Sequence, residues 1–195
     1  MLFRSQTVPV TLNITPPTLV LGSPADPGQG NFYPFGGYNG RYQQVYTASA
    51  FSGPITIKAL KFFNTQLNSG ATAMASGTWT ISLSTTSADW NTISSNFAAN
   101  VGPDNTQVFS GNLSQSWAFG NTLTITLSTP FTFTPSKGNL LIDVTASNVT
   151  VPPGRYVYFD TTGYDEGRRD GSTIIGHADS DGAVHGYGLV TGFSY

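Results

Sequence analysis

TLTITLSTPFTFTPSKGNLLIDV, residues 122–144, is the stretch that decides the fold. Leu123, Ile125 and Leu127 alternate with Thr122, Thr124, Thr126 and Ser128, so an extended chain here has one apolar face and one hydroxylated face. Phe131 and Phe133 continue the alternation against Thr132 and Thr134. Pro135-Ser136-Lys137-Gly138 is turn chemistry, with φ fixed at proline and φ > 0 open to glycine. Asn139 to Val144 is then a nearly continuous apolar run, the pattern of a strand covered on both faces. The expectation is a hairpin at the centre of a β-sandwich.

Working outward, the same alternation recurs. Thr78 to Thr85 alternates through Trp79, Ile81 and Leu83. Gln43 to Phe51, the run from Ile55 to Phe63, Val108 to Leu113, Tyr156 to Phe159 and Tyr187 to Tyr195 read as further strands. Ser87-Ala88-Asp89 can cap a helical turn that holds Trp90, Ile93 and Phe97 against the sandwich. Short strands at this spacing predict an all-β fold: an antiparallel β-sandwich, jelly-roll-like, with an extended N-terminal strand or arm. Residues 1–22 form that strand or arm, and residues 23–195 a single β-sandwich domain. Within the arm, Val8, Val10, Leu12 and Ile14 share one side, and Pro9 confines the strand to an edge or to a place outside the main sheets. Two roles fit the pattern: an ordinary first strand, or an arm that completes a neighbouring subunit's sheet.

Composition narrows the function classes. A chain of 195 residues can bury a sizeable core. Charged residues make up 9% and the net charge is -2, which argues against a nucleic-acid partner. The absence of cysteine excludes disulfides, zinc-thiolate sites and thiol nucleophiles. No stretch is long and apolar enough to span a bilayer as a helix, so membrane insertion is not expected. Low charge and abundant hydroxyls suit an extracellular or cell-surface protein, and they suit virion proteins too. No apolar segment of signal-peptide type follows Met1-Leu2-Phe3-Arg4, so a secreted form needs a leader outside this sequence.

The strand motifs also carry a resemblance. Gln44-Val45-Tyr46 to Phe51, Thr80 to Thr86, Val108-Phe109-Ser110-Gly111, Thr129-Pro130-Phe131, Gly138 to Val144 and Gly188-Leu189-Val190-Thr191 resemble secreted β-sandwich proteins of environmental bacteria of the PEP-CTERM-associated type. The likeness covers roughly residues 40–195. It departs from that pattern in lacking both a leader and a sorting tail after Tyr195. It implies an extracellular or matrix role and transfers no catalytic residue.

Several residue groups are candidates for chemistry. Six of the ten carboxylates fall between Asp160 and Asp181, and Asp179-Ser180-Asp181-Gly182 resembles the start of a calcium loop. The third carboxylate and the bidentate Glu of an EF-hand are missing, so a solvated acidic loop partly paired with Arg168 and Arg169 is the alternative. Calcium is the one cofactor considered, with Asp179 and Asp181 as its ligands. His177 and His185 flank the same pair, where simple surface histidines are expected. Hydrolysis lacks a basis: the chain has a single Glu, no GxSxG elbow, and an Asp143 that reads as a hydrogen-bonded structural carboxylate inside an apolar strand.

Aromatic residues offer a different chemistry. Tyr and Trp rings can stack on the apolar face of a sugar while neighbouring polar groups bond its hydroxyls. Tyr33, Tyr38 and Tyr42 crowd one Gly-rich loop, and Tyr164, Arg168 and Tyr187 can form a second patch. Trp90 can serve either the core or the patch, Trp79 and Trp117 read as core, and Phe32 and Phe35 read as plugs at the sandwich end. Asn13-Ile14-Thr15, Asn112-Leu113-Ser114 and Asn148-Val149-Thr150 match the glycosylation sequon. No enzyme is expected. The sequence points to a non-catalytic structural or adhesive surface protein, self-assembling into a filament or matrix by N-terminal strand addition. The alternative is a secreted carbohydrate-binding module that uses loop tyrosines and is steadied by calcium. The expected partners are the protein itself or an extracellular polysaccharide.

Overall fold

The structure is a computed structural model and describes residues 16–23, 28–89, 92–153, 155–162, 174–175 and 188–195. In chain order its strands are β1 (Thr18–Leu21), β2 (Gly40–Tyr46), β3 (Ile55–Phe63), β4 (Ser76–Thr86), β5 (Thr106–Gly111), β6 (Thr122–Phe133), β7 (Asn139–Thr150), β8 (Ile174–Ile175) and β9 (Thr191–Ser194). They form two antiparallel sheets, of order β1-β9-β3-β6 and β5-β4-β7-β2-β8. Four of the pairings nest about the middle of the chain: β4 with β5, β3 with β6, β2 with β7, and β1 with β9. A long antiparallel ribbon wrapped across two layers gives this order, and it is that of a jelly roll.

The wrapping corrects the expected hairpin. β6 pairs with β3 in one sheet, whereas β7 lies between β4 and β2 in the other. Pro135–Lys137 is a 3-10 turn and Gly138 has φ 145, so the turn residues do turn the chain, but from one sheet to the other. Alternation fixed the faces correctly. Leu123, Ile125, Leu127, Phe131 and Phe133 are buried between the sheets, and Leu140, Leu141 and Ile142 are buried on both faces of β7. Burial of each such side chain contributes about 1.5–3 kcal/mol.

Two edges meet on one side of the sandwich. At the β3–β6 ladder the register jumps from Ile57↔Phe131 to Ala59↔Thr126, and at β4–β5 Val108 is passed over. Such bulges bend edge strands. Here the Ser128 hydroxyl donates to the Val108 carbonyl at 3.0 Å across the gap. On the other side β1 is the last strand of its sheet among the described residues. Thr18–Leu21 therefore belongs to the sandwich, while Val8, Val10, Leu12 and Ile14 lie outside the described residues.

Polar groups tie the layers together. Gln44, 1% exposed, points from β2 into the core. Its Oε1 accepts from the Leu189 N–H at 2.8 Å and from the Tyr42 hydroxyl, and its Nε2 donates to the Leu189 carbonyl at 2.9 Å and to the Tyr46 hydroxyl at 2.8 Å. Tyr46 donates in turn to Thr191 at 2.7 Å. Burial pushes the Tyr46 phenol far above its usual range, and the bond to Thr191 offsets only part of that shift.

The outer face of the five-stranded sheet is covered by residues 87–89 and 92–101. Ile93 and Val101 pack on Val45 and Leu141. The helical turn, α1 (Phe97–Asn100), comes later than expected and is capped by the Asn96 side chain, while Asp89 closes a tight turn onto Thr92. Beneath it, Arg41 forms a bidentate pair with Asp143 at 2.9 and 2.5 Å and lies 5.1 Å from the Phe97 ring centre. Asp143 also accepts from Gln43, which Asn100 holds in place. The Asp143 bond, followed by the counter-charge, raises the Arg41 pKa, and partial burial opposes it. Asp143 is thus the buried structural carboxylate the sequence predicted. No helix of the described residues is long and apolar enough to cross a membrane.

Candidate functional site

Jelly-roll wrapping gathers the β1–β2, β3–β4 and β5–β6 connections and the chain after β7 at one end of the sandwich. Asn64 is the hub. Its Nδ2 donates to the Leu67 and Tyr158 carbonyls at 3.0 and 2.7 Å, and its Oδ1 accepts from the Trp117 indole at 3.3 Å. Buried Asp160 accepts from the Thr65 N–H and hydroxyl at 2.7 and 2.6 Å and from the Gln66 N–H at 3.0 Å. Asn31 and Phe159 exchange backbone bonds, and the Trp79 indole donates to the Pro34 carbonyl at 2.9 Å. The segment Tyr156 to Phe159, expected as a strand, is irregular chain with only this single bridge at Phe159. The loops are thus tied to one another and to the core by bonds from buried side chains and from the backbone.

These loops carry two aromatic layers. The lower one is core, with Phe35 4.6 Å from Phe62 and Trp117 5.8 Å from Phe159 between ring centres. Above it runs a half-buried row. Phe32 is stacked between Tyr33 at 4.5 Å and Tyr156 at 4.6 Å. Tyr158 meets Phe32 edge-on at 5.7 Å, and Tyr38 meets Tyr33 at 4.1 Å. Tyr156 is 43% exposed. Gly36 makes the close approach possible: a Cβ there would lie 1.8 Å from the Val157 carbonyl oxygen. Asn39 bonds both backbone groups of Val149, and the Ser69 hydroxyl donates to the Tyr156 carbonyl, so amide and hydroxyl groups border the rings.

The row gathers some of the predicted binding residues and not others. Tyr33 and Tyr38 stand in it. Tyr42 does not: it is 2% exposed, faces the core from β2 and bonds Gln44, because it shares the inward parity of Gln44 and Tyr46. Phe35 is a plug as expected, Trp79 and Trp117 are core, but Phe32 is the centre of the row. Tyr156 and Tyr158 were missed. Their outward parity against buried Val157 and Phe159 was the available signal, and nothing in the sequence set them beside Phe32. Trp90, Tyr164, Arg168, Tyr187, His177, His185 and the calcium candidates Asp179 and Asp181 lie outside the described residues.

Chemically the row offers ring surface and neutral hydrogen-bonding groups. The four described carboxylates are all engaged in structural bonds: Asp89 with Thr92, Asp104 with the Thr85 N–H, Asp143 with Arg41, and Asp160 with Thr65 and Gln66. Among the described residues no group of three or more His, Asp or Glu side chains is placed to hold a metal ion. No family model, curated protein or solved structure matches the chain.

Proposed function

We propose that the protein is a non-catalytic adhesive module, acting outside the cell or at its surface, that holds polysaccharide on the row built from Phe32, Tyr33, Tyr38, Tyr156 and Tyr158. The carrying observation is the row itself: five aromatic rings linked by ring contacts, four of them half-buried and Tyr156 exposed, on loops anchored to the core. Contiguous aromatic surface left in water is a mark of recognition, and rings with polar tips bordered by amides suit a sugar's mixed surface. Engagement of every described carboxylate in structural bonds favours binding over hydrolysis, which needs two carboxyl groups facing a bond. The hydroxyl-rich, charge-poor composition and the resemblance of the strand motifs favour the extracellular location.

Affinity electrophoresis through polysaccharide-containing gels tests this. Tyr33→Ala and Tyr156→Ala should each weaken retention about tenfold or more, equivalent to about 1.4 kcal/mol, with circular dichroism unchanged. Equal retention of both folded variants and the wild type would reject the row as the platform.

A second function, assembly into a filament or matrix, is favoured by one observation. Among the described residues β1 stands at a sheet edge, and in sequence only Thr15-Pro16-Pro17 separate it from the alternating Val8–Ile14 segment. An edge strand is a template for strand addition. Deletion of residues 1–15, which spares the Pro17 carbonyl bonded to Tyr195, should leave a folded monomer by light scattering if the arm drives assembly. Normal assembly of that truncated protein would rule the arm out.

A further inference from the structure

We infer that the polysaccharide taken by this row is neutral, and that acidic polymers are discriminated against. The inference rests on the row being a glycan platform and adds its chemical class.

In the described parts of the four segments that meet at this end, the ionisable acids and bases other than tyrosine are Arg155 and Asp160 alone. Asp160 is 1% exposed and its carboxylate is taken up by Thr65 and Gln66, so it offers nothing to a ligand. Arg155 is exposed and follows the β7 end of the site, with its Nε about 4.0 Å from where a Cβ on Gly70 would lie. A uronate polymer carries a carboxylate on each acidic sugar. One guanidinium cannot neutralise a run of them, and each unpaired carboxylate set against ring surface is desolvated at a cost. Like charge over the whole chain adds to this, since its net charge is -2.

What the site does offer is neutral. Asn39, Asn68 and Ser69 already hold backbone groups of Val149, Gly70 and Tyr156, and the N–H and lone-pair positions they keep are uncharged, as are the hydroxyls of a neutral sugar. Bonds between neutral partners do not depend on ionic strength, whereas attraction of a polyanion does. The two classes of ligand therefore differ in a measurable way.

The experiment is affinity electrophoresis of the full chain against neutral polymers (hydroxyethylcellulose, galactomannan, laminarin) and acidic ones (alginate, polygalacturonate), with equilibrium binding repeated over a salt series. Between about 0.01 M and 1 M salt the Debye length falls from about 30 Å to 3 Å. Retention by a neutral polymer, changing less than about twofold over that series and unaltered in Arg155→Ala, is the expected result. Retention by an acidic polymer that salt or Arg155→Ala abolishes would overturn the neutral class while leaving the row as platform, provided Tyr156→Ala also weakens it. Retention by no polymer of either kind would overturn the platform itself, and the class with it.

Discussion

Replacement of Gln44 by leucine would remove the side chain that clips the two sheets together. Leucine fills much the same space, so the loss is mainly of polar contacts. Two of the four partners are left supported: the Leu189 carbonyl keeps the Thr191 hydroxyl at 2.9 Å, and Tyr46 keeps Thr191 at 2.7 Å. The Tyr42 hydroxyl gives up one bond, and the Leu189 N–H, in a place 1% exposed, is the group stripped of its acceptor. A buried donor stripped of its acceptor costs about 1–3 kcal/mol, and the apolar leucine returns part of that, so a net loss of about 1–2 kcal/mol is expected. Guanidinium unfolding followed by tryptophan fluorescence and circular dichroism reads it directly. Gln44→Glu sharpens the test. Burial raises a carboxyl pKa above its unfolded value, so stability of that variant is fullest below about pH 4 and is lost as pH rises through the folded pKa. A Gln44→Leu change under about 0.5 kcal/mol, the size of an ordinary surface substitution, would refute the clip.

Three other predictions follow from the same structure. The Tyr46 phenol is raised, so its stabilising contribution is complete below the ordinary tyrosine range near pH 10 and is lost above it. Tyr46→Phe should therefore flatten the alkaline limb of stability against pH by about 1.4 kcal/mol per unit, and an unchanged slope in denaturant titrations would contradict it. Asp143→Asn breaks the pair with Arg41, whose side chain is 37% exposed, so a modest loss of about 1–2 kcal/mol is expected, shrinking with salt; unfolding at two ionic strengths checks both parts. Gly36→Ala drives a methyl into the Val157 carbonyl and should part Phe32 from Tyr156, lowering stability by about 2 kcal/mol or more and abolishing retention on polysaccharide. Gly53→Ala, with open space around it, is the control and should stay within about 0.5 kcal/mol of wild type.

How much of this was legible in the sequence depends on the kind of information asked for. Parity was legible. The inward set of β6 and the double burial of β7 follow from residue order alone, because side chains alternate strictly along a strand. Pairing was not. Thr122–Phe133 and Asn139–Val144 adjoin in sequence and suggest a hairpin, yet a turn of this composition serves equally well to carry the chain between layers. Nothing local in Pro135–Gly138 distinguishes the two. Tyr42 went wrong for a related reason. Its loop neighbours Tyr33 and Tyr38 suggested a shared surface, but β2 begins at Gly40, and from there parity sends Tyr42 inward with Tyr46. The candidate row needed topology most of all. Phe32 and Tyr156 are far apart in the chain, and only the nested pairing of β2 with β7 brings their loops together.

That row is the centre of the account, and its most direct test is an NMR titration of the isotope-labelled protein with a neutral oligosaccharide. Shifts concentrated at Phe32, Tyr33, Tyr38, Tyr156 and the bordering Asn39 and Ser69, saturating with one affinity, are the predicted result. Shifts that map instead to the hydroxylated outer face of β6, or to the cover over Arg41 and Asp143, would contradict it, as would a spectrum unchanged through the titration.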